Sequence, residues 1–600
     1  KLFTKGTTDL AVSAEKYRTH VDFDSRTVQF STNQKGSAVS FPYNNFISYM
    51  DNIDWYMDQQ EMRLYNDLGE KYANIDQMTR AQLLKLDLSG SDFVATNPAA
   101  DSLSFFSRNA TYDLVNYIID AQGVKLIRVA DAGIFPDSGF VKINKGGQIQ
   151  PLKNAAIVAD TVNLYHTIEK SEVTVTSRRY FNGKGSYLYQ DTTDIVQEFP
   201  LTKVSVDSTG KTYADGNIVE KLQFRLNSYF DYKGKVHLIS DRKELEFDGG
   251  FRIHDECYGT AGKNWVAFNS WVDPKHVRIP IVPPLADLQG NPLEVAIQVS
   301  DYEDKIYSSW FQPKLGHGDT SLVMPSGVIY YDMQAGGYRI AQPEMGISGI
   351  SQPGLFFNTE RCIMESSGPI GLGLNYNYVN VKSFGDVKYM IIPDSATLNL
   401  TLTFDFLFYD GCLMIMADSL LKSNMKGIDI TGKEYHTFLE HALGKEAARN
   451  LRDDILNSGK IRRLPEPLLH QIVLTDVDLY WNDETNSYIS RGQIGVMSLG
   501  KDPVNRYLNG QLELIRRRSG DVITLYLEIT PLQYYFFDYR NGIMQAISSD
   551  KEFNNRINET KQEKRVLSIP GLDEQYEFLV STDRRVIDFL RRMEMVRDSE

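Results

Sequence analysis

The chain has 600 residues, 42% hydrophobic and 24% charged, which is the composition of a folding globular protein rather than a disordered one. Its 64 Lys and Arg against 78 Asp and Glu leave a net charge of −14. That balance argues against a broad nucleic-acid surface and against general attraction to anionic membranes, since both need clustered cations. The length corresponds to about four ordinary domains, unless the chain is a repeat array that grows without a single closed core.

Residues 1–95 read as a mixed, partly helical region. Asp58 to Leu86 carries helix formers with apolar positions at Met62, Leu64, Leu68, Tyr72, Ile75 and Met78. Gly69 and the Asn74–Asp76 stretch are expected to split it into two short helices. From residue 96 to 405 the pattern changes to short alternating or continuous apolar runs, such as Val124–Val129 and Val277–Val282, punctuated by Gly, Asn and Asp. That is the signature of many strands. Within it, Leu398, Leu400, Leu402, Phe404, Phe406 and Phe408 alternate strictly, as one face of a half-buried strand would. Residues 406–470 form a helical insertion, in which Phe438, Leu439, Ala442, Leu443, Ala447 and Leu451 make a stripe. The β pattern returns over 471–546. Residues 547–600 turn helical again, with Thr582 or Asp583 placed to cap a helix.

Glycines recur inside the β region. Gly123, Gly185, Gly216, Gly250, Gly337, Gly368 and Gly492 are separated by 62, 31, 34, 87, 31 and 124 residues, close to multiples of 31. Each follows a short strand and precedes another, where a bend or bulge favours glycine. A unit of that size cannot bury its own apolar face and must stack on neighbours. The expected fold is therefore mainly β: a stacked β-repeat body, β-roll or solenoid-like, with helical caps and a helical insertion. A multi-domain β-sandwich is the alternative.

The search for chemistry is sparse. The three cysteines, Cys257, Cys362 and Cys412, are odd in number and far apart, so no disulfide framework or zinc knuckle is expected. His254 to Cys257 alternates across a strand and assembles no four-ligand site. His436, Glu440 and His441 miss the two-histidine zinc spacing, and Asp476, Asp478 and Asp483 match no calcium loop. No cofactor is expected. Arg516, Arg517 and Arg518 form a short basic run in an acidic chain and are candidate partner or anion contacts. With aromatics at 12%, the cluster Tyr534, Tyr535, Phe536 and Phe537 is a second candidate contact, against the ordinary role of core ladder. No run of 18 apolar residues is present, so no transmembrane helix is expected.

Tyr213–Val219, Phe230–Leu238 and Leu245–Phe251 carry phrases of the form Ala-x-Gly-x-Val. In these the chain resembles the OstA-like lipopolysaccharide-transport proteins of the Gram-negative periplasm, and more loosely the large uncharacterised envelope proteins of Gram-negative bacteria. The resemblance implies an open β-roll whose apolar interior passes lipid acyl chains. The function expected on these grounds is a non-enzymatic structural or binding component of the bacterial outer envelope, in its most specific form a lipid-handling periplasmic bridge. The alternatives are a carbohydrate-active β-repeat enzyme and a surface adhesin or assembly subunit. Expected partners are other envelope proteins, with lipid and carbohydrate as candidate ligands, in the periplasm or at the cell surface.

Overall fold

The computed structural model describes residues 1–3, 9–33, 36–67, 70–259, 263–301, 303, 305–342, 354–571 and 575–599. It is mainly β, with 51% strand and 15% helix, in large curled sheets and a half-barrel. The chain divides into two compact units, residues 1–254 with 267–278, and residues 255–266 with 279–600. The expected 96–405 body straddles that division.

The first unit opens with a six-stranded and a seven-stranded antiparallel sheet. They meet through buried aromatics, Phe41 on Tyr112 with ring centroids 4.8 Å apart. Here the expected helix over 58–68 is absent. Asn52–Tyr56 and Glu61–Tyr65 form a hairpin instead, because Met62 and Leu64 are two apart and both enter the core. Two short helices follow, α1 (Glu70–Gln77) and α2 (Arg80–Leu83). They break at Thr79, whose side chain and that of Gln82 close a capping box. Gly69 lies outside the described residues.

An eleven-stranded antiparallel sheet completes the unit. Its long strands succeed one another as a meander from Leu152–Ala159 to Val266–Val272. The sheet curls around Phe224, which packs on Tyr189 at 5.0 Å, Phe199 at 5.4 Å, Tyr232 at 6.3 Å and Phe247 at 6.4 Å. Burying such a ring contributes about 1.5–3 kcal/mol, so this cluster fixes the curl.

The second unit is built on a sixteen-stranded sheet beside a four-stranded one. The large sheet includes Ile363–Ile370, Asn380–Met390, Ser395–Asp405 and His470–Asn482 as consecutive neighbours. The helical insertion leaves the sheet after Ser395–Asp405 and returns at His470–Asn482. It comprises α3 (Asp410–Lys422), α4 (Lys433–Leu443) and α5 (Lys445–Ser458), the last two separated at Gly444. The α3 face of Cys412, Leu413, Met416, Ala417 and Leu420 is fully buried, with Asp410 and Lys422 complementing the helix dipole at its two ends. The C-terminal part holds α6 (Lys551–Glu559), α7 (Gln562–Arg565) and α8 (Asp583–Ser599). It also contains a strand the sequence pattern did not reveal, Tyr576–Val580, which pairs in parallel with Ile543–Ser548.

The glycines occupy unlike places. Gly123 bends the chain at φ +71 just after a strand and Gly337 opens a strand, and Gly250 lies in mid-strand opposite Lys233. Gly185 and Gly216 both pair with Leu201, from the strands on either side, next to a bulge. Gly368 faces Gly385 across a strand pair. Gly492 is the kink between Ser487–Arg491 and Gln493–Gly500. A separation of 31 therefore spans two strands and their turns in an antiparallel meander. Only Gly185 and Gly216 share a row.

Against the expectation of no disulfide framework, one disulfide forms. Cys257 and Cys362 are bonded, their Cα atoms 5.4 Å apart. Sequence separation hid the pair because the segment after residue 254 folds back onto the large sheet. There the Tyr258 ring lies 5.9 Å from Phe357 and its hydroxyl is 2.5 Å from Ser308 Oγ.

Candidate functional site

A recess of about 260 Å³ lies in the second unit between α4 and the large sheet. Three local departures from regular structure create it. The first is a bulge: Leu400 pairs with Val477 and Leu402 with Leu474, so Thr475 and Asp476 together oppose Thr401. Asp476 is left-handed at φ +52, an uncommon conformation for a non-glycine residue in a strand. The second is the facing pair Gly368 and Gly385, of which Gly385 lines the recess and leaves that point of its floor without a side chain. The third is α4 itself, held over the sheet by Phe438 and by His441 stacked on Phe384 at 4.4 Å. Burial lowers the pKa of His441, favouring the neutral ring that stacks best on an aromatic face.

Gly385 is specified by its surroundings. It sits at φ +155, and a Cβ there would fall 2.1 Å from the Asn399 carbonyl oxygen. Gly385→Ala is expected to lower stability by roughly 1–3 kcal/mol, read as a shift of the urea midpoint. A midpoint equal to wild type would mean that the floor of the recess is not under that constraint.

The polar lining comes from both sides. The sheet supplies Ser367, Asp386, Asn399, Thr401, Thr475 and Asp476, and α4 supplies Lys433, Glu434 and Thr437. The Thr401 and Thr475 hydroxyls are 3.0 Å apart. The Tyr507 hydroxyl donates to Asp476 Oδ2, and burial followed by that carboxylate raises the phenol pKa. Three carboxylates face one ammonium, with Phe384 and Phe438 as apolar walls. This lining disfavours anions. It offers hydrogen-bond acceptors and a few donors beside an apolar face.

The residues singled out from sequence fall elsewhere. Tyr535, Phe536 and Phe537 are at most 3% exposed and are core. Strand alternation sends Tyr535 and Phe537 to Phe553 and Phe536 to Phe589 of α8 at 5.9 Å. Tyr534 donates its hydroxyl to Asp583 Oδ1 at 2.9 Å. The cluster is the ladder by which helices grip the sheet, and its expected role as a partner contact gives way to packing. Arg516 is also internal: its guanidinium donates to the Ser300 carbonyl at 2.9 Å and reaches Asp301 at 3.5 Å. Arg517 and Arg518 are exposed.

His254 pairs with Asp231 at 2.7 Å and His436 with Glu440 at 3.3 Å, while Asp478 stands opposite Arg491 in the ladder. Among the described residues, no group of three or more His, Cys, Asp and Glu is placed to hold a metal ion. Among the same residues, no helix is long and apolar enough to cross a membrane. Asp476 was considered from sequence with the wrong neighbours. Apart from Thr475 its recess partners lie on other strands and on α4, and the local signal was a carboxylate interrupting an apolar strand run.

No protein-family model matches the chain, and no curated protein matches its sequence.

Proposed function

We propose that this protein is a non-enzymatic binding component of the bacterial outer envelope, and that the recess beneath α4 takes a small neutral saccharide. The recess carries the reading. Carboxylates, an amide and hydroxyls in a space of about 260 Å³ match a ligand rich in hydroxyl donors, and Phe384 and Phe438 match its C–H faces. The Cys257–Cys362 bond supports an exported setting, because such bonds persist in oxidising compartments. Other envelope proteins are the expected partners. Kinship with the β-roll transport proteins rests on the short glycine phrases alone. A surface recess is favoured over an interior lipid path because Phe224 fills the curl of the first unit and α3 is buried in the second.

The test is calorimetric titration with a panel of neutral mono- and disaccharides. At least one is expected to bind saturably, and Asp386→Asn combined with Thr401→Val to weaken it by about tenfold or more, as loss of buried hydrogen bonds to a ligand does. A folded wild-type protein that binds no member of the panel sinks the reading. The second reading, a carbohydrate-active enzyme, is favoured by Asp386, Glu434 and Asp476 sharing one recess, since glycoside hydrolysis uses paired carboxylates. Release of reducing sugar from a bound oligosaccharide distinguishes it from simple binding.

A further inference from the structure

A second recess, of about 480 Å³, shares no lining residue with the first. It lies between the segment Asn375–Tyr378 and the turn Arg517–Asp521. Asp521 builds it. That buried carboxylate accepts the Asn375 amide at 2.6 Å and the Arg517 amide at 2.8 Å, tying the turn to the segment. Both oxygens accept backbone amides, so its hydrogen-bonding capacity is used within the wall, while burial raises the pKa of the group and disfavours its charge. Gly520 permits the same closure. It sits at φ +113, and a Cβ there would lie 2.3 Å from Asn541 Oδ1.

With Asp521 engaged, the charged groups left at the recess are two adjacent guanidinia. Arg517 and Arg518 are exposed and make no ion pair among the described residues, in a chain of net charge −14. The amides of Asn375, Asn377 and Asn541 line the same space. So does Tyr376, whose buried hydroxyl has no hydrogen-bond partner. Guanidinium forks with amide donors nearby suit a tetrahedral oxyanion, to which Arg bonds in bidentate fashion. The space is larger than a bare phosphate needs, so an organic group can enter with it.

We propose that this recess is a phosphate-binding subsite, taking the phosphate group either as the free ion or as part of an organic phosphate. It is independent of the saccharide reading, because its chemistry and its residues are different.

The test titrates the full chain, at constant ionic strength in chloride, with inorganic phosphate, glucose 1-phosphate and glucose. Saturable binding of the two phosphate-bearing probes is expected, with Arg517→Gln/Arg518→Gln weakening both by about tenfold or more. Arg591→Gln, which removes an exposed arginine on α8, is expected to leave them unchanged. Stronger binding of glucose 1-phosphate than of phosphate identifies an organic phosphate as the ligand, and equal binding identifies the free ion; both support the subsite. Three results overturn it: no saturable phosphate binding, equal loss in the Arg591→Gln protein, or binding that the double substitution leaves intact while its melting curve matches wild type.

Discussion

Reduction of the Cys257–Cys362 bond, or replacement of both residues by serine, is expected to destabilise the second unit by about 4–5 kcal/mol in the loop-entropy account. The bond spans a sequence separation of 105, and the cost of leaving so long a loop open is carried by the unfolded chain. The folded side loses a tether as well. Without it the segment around Tyr258 is held by the Ser308 hydroxyl and the Phe357 ring. The measurement is the urea midpoint of the second unit's transition with and without reductant. An unchanged midpoint would show that the bond constrains nothing. Labelling gives an internal control. Cys412 is fully buried and burial pushes its thiol up to about 12, so a thiolate-directed reagent on the reduced, folded protein should modify Cys257 and Cys362 and spare Cys412.

The next largest effect is expected at Glu513. Its side chain is 0% exposed, and Arg592 of α8 reaches it with one guanidinium nitrogen, while the Ser487 hydroxyl donates at 3.2 Å. Removing one partner of a buried pair strands the other charge, which costs about 3–5 kcal/mol. Arg592→Met should therefore destabilise by that amount, and Glu513→Gln/Arg592→Met by clearly less, because no charge is then left behind.

The pH dependence has a definite sign. Burial raises the Glu513 pKa even with Arg592 present, so the folded state holds this proton more tightly than the unfolded state does. The resulting stability is fully present below the unfolded carboxyl value and is lost as pH rises through the raised folded value. In Arg592→Met the opposing cation is gone and the shift grows. The variant should recover stability relative to wild type as pH falls toward the ordinary carboxyl range. A deficit that stays constant across acidic pH would mean that the carboxylate is solvated when Arg592 is lost.

Much of the architecture was legible because strands and helices write different periods. The alternation from Leu398 to Phe404 is a buried strand face, the stripe at Phe438 and Leu439 is the packed side of α4, and α8 starts at Asp583, one of two residues nominated to cap it. Short elements were harder to see. Tyr576–Val580 is a single five-residue strand in a helical neighbourhood, and the strand spacing of Met62 and Leu64 lay inside a run of helix formers. The basic run was read too coarsely, since Arg516 is internal and the two residues after it are exposed. The recess beneath α4 was hidden because its lining comes from four strands and a helix, joined by a bulge that has meaning only once Thr401 lies beside Thr475. The disulfide was hidden for the same reason: proximity created by a chain that doubles back leaves no trace in local pattern.

The strand Tyr576–Val580 also bears on how the chain reaches its final form. It lies between Ile543–Ser548 and Val566–Leu567 in the sheet, yet it follows both in the chain. At ribosomal rates of about 5–20 residues per second, the Ile543–Ser548 edge stays unpaired for a few seconds after it is made. During that time a row of bare amides and carbonyls is open to any passing strand. The last piece of the sheet to be synthesised is thus the one that closes it. A chain cut short before Tyr576 would leave this edge bare and, lacking α8, would uncover Phe536 and Glu513 as well, so a chaperone that guards this protein has this edge to hold.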